Sequence, residues 1–167
     1  MRLARATGFT LIELLITLAL VGLLAVVSLP LYEVTSTRVK EEQLREALRT
    51  IRAGLDAYKA AVDSGVLPRE AGASGYPPSL DILTEPLDMA NKTSSGFGAS
   101  DTPQRLVILR QLPRDPFFPD PAVPAAKTWL TRSYGTRSDD PQPGADVYDA
   151  SSMSTRVGLD GIPYSAW

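Results

Sequence analysis

Residues 8–31 read GFTLIELLITLALVGLLAVVSLPL, and this run decides the fold. Its only ionisable side chain is Glu13, and the run is long enough to span a bilayer as a helix, which takes roughly 20 apolar residues. Arg2 and Arg5 precede it. The positive-inside tendency therefore predicts a single-pass protein with a cytoplasmic amino terminus and everything after Leu31 on the far side of the membrane, the periplasm of a two-membrane bacterium.

The residues before the run do not read as a secretory signal peptide. Such a peptide places about 7 to 15 apolar residues between its basic region and a small-residue cleavage site. Here the small residue, Gly8, comes before the apolar run. We therefore expect residues 1–8 to be a short leader and residues 9–31 to stay on the mature protein. The alternative is an uncleaved single-pass anchor.

The unbroken motif Gly8-Phe-Thr-Leu-Ile-Glu13 resembles the leader junction of the type IV pilin and type II secretion pseudopilin superfamily. The resemblance implies that a prepilin peptidase cuts after Gly8 and methylates the new amino terminus at Phe9. It also implies that Glu13 neutralises the Phe9 amine of a neighbouring subunit during filament assembly. Independently, a charged group in an apolar span costs roughly 3 kcal/mol, so Glu13 should have a partner. The alternative is that its side chain lies at the interface and reaches water.

Residues 32–63 are predicted to continue the membrane helix as an amphipathic stalk. From Glu33 to Asp63 the chain contains no Pro, and apolar residues recur at alternating spacings of four and three. We expect this stripe to cover a sheet of the same chain, with a free-standing coiled coil as the alternative. Ser64-Gly65 should end the helix. The apolar stripe of this amphipathic stalk consists of Leu44, Leu48, Ile51, Leu55, Tyr58 and Val62.

Residues 64–167 form the predicted head. They contain thirteen of the fourteen prolines, which predicts short elements and long Pro- and Gly-rich loops, among them residues 91–103. A short helix capped by Ser79 is expected. Runs with strand character predict a small antiparallel sheet; they are 128–134, 145–148 and 162–167.

The fold class follows as α+β, with a long N-terminal helix, half membrane and half amphipathic, packed on a small antiparallel β-sheet head. Aromatic rings are expected to anchor the sheet on the stalk; they are Trp129, Tyr134, Tyr148, Tyr164 and Trp167.

The segment Leu112-Pro-Arg-Asp-Pro-Phe117 resembles a Leu-Pro-x-Asp-Pro-aromatic segment of major pseudopilins of type II secretion, which fimbrial pilins usually lack. Those pilins commonly carry a disulfide loop, and this chain has no Cys. The resemblance is therefore closest to the major pseudopilin, the general secretion pathway protein G type. It implies a calcium ion in a late loop, here Asp139, Asp140 and Asp146, whose oxygens suit calcium. The alternative is a solvated turn.

Catalysis and nucleic-acid binding find no support in the composition. The chain has no His and no Cys, no phosphate-binding Gly motif and no basic stripe, and its net charge is -2. The sequence predicts a structural subunit rather than an enzyme, without a cofactor apart from calcium.

The resemblance implies a filament built from copies of this chain and minor pseudopilins, moving from the inner membrane into the periplasm. Its other implied partners are the prepilin peptidase and an inner-membrane assembly platform with its ATPase. The alternatives are a type IV pilin or minor pilin-like subunit and, in a different class, a membrane-anchored periplasmic binding module.

Overall fold

The computed structural model describes residues 8–90 and 104–167. Its main element is one long helix, α1, at Leu11–Asp63. Short strands follow within the described residues: β1 at Leu87–Asp88, β2 at Arg105–Leu106, β3 at Trp129–Arg132 and β4 at Asp149–Ser152. Single turns of 3₁₀ helix lie at Asp81–Thr84, Ala125–Thr128 and Tyr164–Ala166. The α+β prediction with a long N-terminal helix is confirmed.

The chain divides into two compact units, with the boundary between Val39 and Lys40. In the first unit the helix is apolar and exposed: its most apolar 18-residue window has a mean hydropathy of 2.6 and no buried residue. By length and composition this helix can cross a membrane. Its hydroxyl groups donate back to carbonyls of the preceding turn, as Thr17 does to Leu14 at 2.9 Å and Ser28 to Leu24 at 2.8 Å. These two hydroxyl groups are thus satisfied within the helix, as lipid requires.

In the second unit the apolar stripe of α1 packs against the head, as predicted. Leu44, Leu48, Ile51, Leu55 and Val62 are buried, and Tyr58 packs half-buried against the same core. The head contributes the other side of this core with Leu80, Leu83, Leu112, Trp129, Val147, Ala150 and Tyr164.

The carboxyl end of α1 is closed by a Schellman motif. The Val66 amide donates to the Ala61 carbonyl at 2.9 Å, and the Gly65 amide donates to the Val62 carbonyl at 3.1 Å. Gly65 has φ +74, the left-handed conformation that this motif requires. The prediction that Ser64-Gly65 ends the helix is confirmed.

The strands form two antiparallel pairs. In one, Leu87 of β1 is opposite Leu106 of β2. In the other, Trp129 of β3 is opposite Ser152 of β4, and Arg132 is opposite Asp149. A small antiparallel β component is therefore present, and the run 128–134 does contain a strand.

Other predictions for the head are wrong in detail. The strand expected at 145–148 lies instead at Asp149–Ser152. The strand expected at 162–167 is a 3₁₀ turn that follows Pro163. The short helix expected near Ser79 exists, but its N-cap residue is Leu80 and no side chain caps it. Tyr134, expected in the core, is 60% exposed. The loop expected over 91–103 lies outside the described residues.

Candidate functional site

The candidate site at the amino terminus is the junction between Gly8 and α1. Residues 8–10 precede the helix without regular structure, and the Phe9 side chain is 83% exposed. A Cβ added at Gly8 would meet no atom within 4 Å. The Gly8–Phe9 bond therefore lies in an accessible, non-helical segment, the arrangement that a peptidase needs.

Thr10 caps the helix beside this bond. The Leu14 amide donates to the Thr10 carbonyl at 3.2 Å, and the Glu13 amide donates to Thr10 Oγ1 at 3.3 Å. Thr10-x-x-Glu13 is the spacing of a capping box. Sequence reasoning missed Thr10, although this spacing was the signal that could have identified it.

Glu13 is the acidic residue of the first turn of α1, where the positive end of the helix dipole favours a carboxylate. Its neighbours are apolar and open, with Ile12 63% and Leu14 62% exposed. Within residues 8–90 and 104–167, Glu13 forms no ion pair. It lies four residues, about one helical turn, after Phe9. The structure therefore presents a carboxylate on an apolar surface, close in sequence to the amine that cleavage after Gly8 would create.

The three carboxylates expected to hold calcium are directed to different partners. Arg137 donates to both oxygens of Asp139, at 2.9 and 3.1 Å, and Gln142 donates to Asp140 at 2.8 Å. In the part of the chain that the structure describes, no three acidic, His or Cys side chains are grouped to hold a metal. Calcium binding by Asp139, Asp140 and Asp146 stays a prediction, which a rise in thermal midpoint with calcium over chelator would support.

Asp146 instead ties two loops together. One of its oxygens accepts from the Ser74 hydroxyl, and the other accepts from the Ser133 hydroxyl and from the Tyr134 amide at 3.0 Å. Burial raises the pKa of Asp146, but these hydrogen bonds outweigh burial and hold it below the ordinary 3.8. A Cβ at Gly144 would lie 2.7 Å from the Ser133 Cβ, so this close approach requires glycine.

The segment 112–117 is a structural junction of the head. Asp115 is 2% exposed; one oxygen accepts the Phe117 amide at 2.8 Å and the other accepts the Ser152 hydroxyl at 2.5 Å. The Trp129 indole donates to the Pro113 carbonyl at 3.0 Å. The segment therefore contacts both β3 and β4, and both oxygens of the Asp115 carboxylate accept hydrogen bonds within the fold.

Comparison with known proteins identifies the amino-terminal segment. The family whose sequence model matches is the prokaryotic N-terminal methylation motif, over residues 3–29. This motif is typical of type IV pilin-like and pseudopilin-like subunits, which are structural proteins and not enzymes. It implies processing by a prepilin peptidase, membrane anchoring and pilin-like assembly. No curated protein and no solved structure matches the chain.

Proposed function

We propose that this chain is the subunit of a pilus-like filament, processed after Gly8, methylated at Phe9 and assembled through its N-terminal helix. One observation carries the proposal: a single carboxylate, Glu13, stands on an exposed apolar helix directly after the matched cleavage junction. Among the described residues this carboxylate has no cationic partner, whereas in a filament the Phe9 amine of the next subunit would supply one. Assembly is then favoured by charge neutralisation as well as by helix packing.

Within this class, the proposed role is that of a type II secretion pseudopilin of the major type. The support is the resemblance of the segment 112–117, whose Asp115 is buried and accepts the Ser152 hydroxyl of β4, while its Pro113 carbonyl accepts the Trp129 indole of β3. The proposed route starts in the inner membrane with the head in the periplasm and ends in a periplasmic filament. The proposed partners are copies of this chain, minor pseudopilins, the prepilin peptidase and an inner-membrane platform driven by an ATPase.

The mass of the mature protein tests the proposal. In cells that contain the prepilin peptidase, we expect a protein that has lost Met1 to Gly8 and gained one methyl group at Phe9. In cells without the enzyme, and for a Gly8→Val variant, the chain should keep residues 1–8. An intact Met1 under all conditions would contradict the proposal.

Filament type is tested separately, by deletion of the gene. Loss of protein secretion with normal surface pili supports the secretion role. Loss of surface pili with normal secretion would assign the chain to a type IV pilus instead.

A further inference from the structure

A cavity of about 680 Å³ lies in the head, beside the last turns of α1. Its volume falls within the roughly 300 to 1,000 Å³ of ligand pockets. Val62, Leu67 and Leu87 supply apolar walls, and Tyr76 and Tyr134 supply aromatic faces. None of these groups lies in residues 9–31, the segment proposed for filament assembly.

The aromatic wall is held in place before any ligand arrives. The rings of Tyr76 and Tyr134 are stacked with centroids 5.7 Å apart, and Tyr148 meets both edge-on at 5.1 and 5.5 Å. Asp146 fixes both loops by accepting from Ser74 and from the Tyr134 amide. Tyr134 nevertheless remains 60% exposed, so a large ring stays open to solvent at the cavity.

The charge of the lining is negative. Among the described lining residues, Arg69 is basic, whereas Glu70, Asp88 and Asp146 are acidic. Arg69 lies 3.8 Å from Asp63, and Asp88 pairs with Arg105 at 3.1 Å. Glu70 forms no ion pair with another residue of the described chain.

Two further observations agree with a cation-attracting field. Burial and then the charge of Glu70 raise the pKa of Tyr58, which also lines the cavity. The chain's own Lys59 ammonium lies 5.9 Å from the centre of the Tyr76 ring. Asp63 neutralises this ammonium, since Lys59 Nζ lies 2.5 Å from Asp63 Oδ2, so Lys59 adds no net positive charge beside the Tyr76 ring.

We propose that this cavity binds a Lys or Arg side chain of a partner polypeptide. Tyrosine faces and the Glu70 carboxylate, which forms no ion pair with the described residues, attract the cationic head, while the apolar walls fit the methylene stem of such a side chain. Tyr134 and Glu70 are the residues that would recognise the charge. The proposal holds whether or not the chain is cleaved after Gly8, since the lining residues all lie in the second unit.

Calorimetric titration of the full chain in a non-ionic detergent tests this site. The probe is the blocked tripeptide Leu-Arg-Leu, and its matched control replaces arginine by citrulline, which keeps the shape and removes the charge. We expect the arginine peptide to bind at least about tenfold more tightly than the citrulline peptide, because only arginine can form a cation–π contact with a tyrosine and an ion pair with Glu70. Equal affinity for the two peptides, or binding of neither, would overturn the proposal.

Two variants place the binding in this cavity. Glu70→Gln and Tyr134→Ala change exposed side chains, so both should fold, as an unchanged circular dichroism spectrum would verify. Each should lower the affinity for the arginine peptide at least several-fold. Glu42→Gln, on an exposed part of α1 outside the cavity, should leave that affinity unchanged. Unchanged binding in both cavity variants would refute the site. Free argininamide binding as tightly as the peptide would refute a polypeptide partner.

Discussion

At the scale of single residues, Glu13 distinguishes two hypotheses: a helix that only anchors the head in the membrane, and a helix that assembles with other subunits. Its amide is used by the Thr10 cap, but its carboxylate has no cationic partner among the described residues. A helix that only anchored a head would gain stability from losing this charge, because a neutral residue enters lipid more easily. Retaining a charge there is useful when a second chain neutralises it.

We expect Glu13→Gln to leave the protein in the membrane fraction and to reduce its incorporation into filaments more than tenfold. Gln keeps the size and the helix but removes the charge, and breaking a buried ion pair costs about 3 kcal/mol or more. Fractionation and filament shearing measure the two quantities. Glu33→Gln, later on α1, is the control and should assemble normally.

Thr10→Val distinguishes charge pairing from helix capping. It removes the hydroxyl that accepts the Glu13 amide while keeping the carboxylate. If Thr10→Val abolished assembly as completely as Glu13→Gln, the role of Glu13 would be local capping, and the pairing hypothesis would be wrong.

Asp146 makes the stability of the head depend on pH. Its pKa in the folded protein is lower than 3.8, so its contribution is fully present above that value and is lost as the pH falls through the folded-state pKa. Asp146→Asn should lower the free energy of unfolding at pH 7 by about 1 kcal/mol. The difference from the parent protein should shrink below pH 3.8.

Urea unfolding at a series of pH values measures this difference. Asp140→Asn is the matched control, because Asp140 is exposed and is not tied to either loop. A difference between Asp146→Asn and the parent that stayed constant across the acid range would contradict the assigned hydrogen bonds to the carboxylate.

At the scale of elements, the end of α1 depends on one glycine. Gly65 has φ +74, and a Cβ added there would meet no atom within 4 Å. Gly65→Ala should therefore cost about 1 kcal/mol from backbone strain alone. Gly135→Ala is the control: its Cβ also meets nothing within 4 Å, but its φ is not positive, so its effect on the thermal midpoint should be small. Equal effects of the two substitutions would refute the Schellman assignment.

The sequence predicted α1 well because its signals are local and repeated. The stripe from Leu44 to Val62 and the stop at Ser64-Gly65 need no knowledge of distant residues. The same was true of the capping spacing Thr10-x-x-Glu13, which sequence reasoning overlooked.

Strand β4 could not be found in this way. The strand Asp149–Ser152 has the sequence Asp-Ala-Ser-Ser, which contains none of the β-branched or aromatic residues enriched in strands, so it carries no strand signal. Distant partners hold it: Asp149 pairs with Arg52 at 2.8 Å, and Ser152 donates to Asp115 at 2.5 Å. The tyrosine-lined cavity was hidden for the same reason, because its walls come from segments far apart in the chain.

At the scale of the whole molecule, the two units have separate sources of stability. Among the described residues, every buried residue of the hydrophobic core lies at Leu44 or later, whereas the large apolar side chains of residues 9–26 are exposed. The first polar contact that the head needs from α1 is Glu41, which accepts the Leu159 amide at 2.7 Å and the Tyr164 hydroxyl at 3.0 Å. Burial and this hydrogen bond raise the pKa of Tyr164 to about 12.

We therefore expect a chain of residues 36–167 to be soluble and folded, with a cooperative thermal transition close to that of the full protein in detergent. It keeps one helical turn before Glu41 and the whole core. A chain of residues 53–167 is the matched control, because it loses Leu44, Leu48 and Ile51. Truncating each of these costs about 2 to 5 kcal/mol, which together exceeds the stability of a small domain. Near-ultraviolet circular dichroism and calorimetry decide: if both chains melt alike, the α1 stripe does not hold the head together.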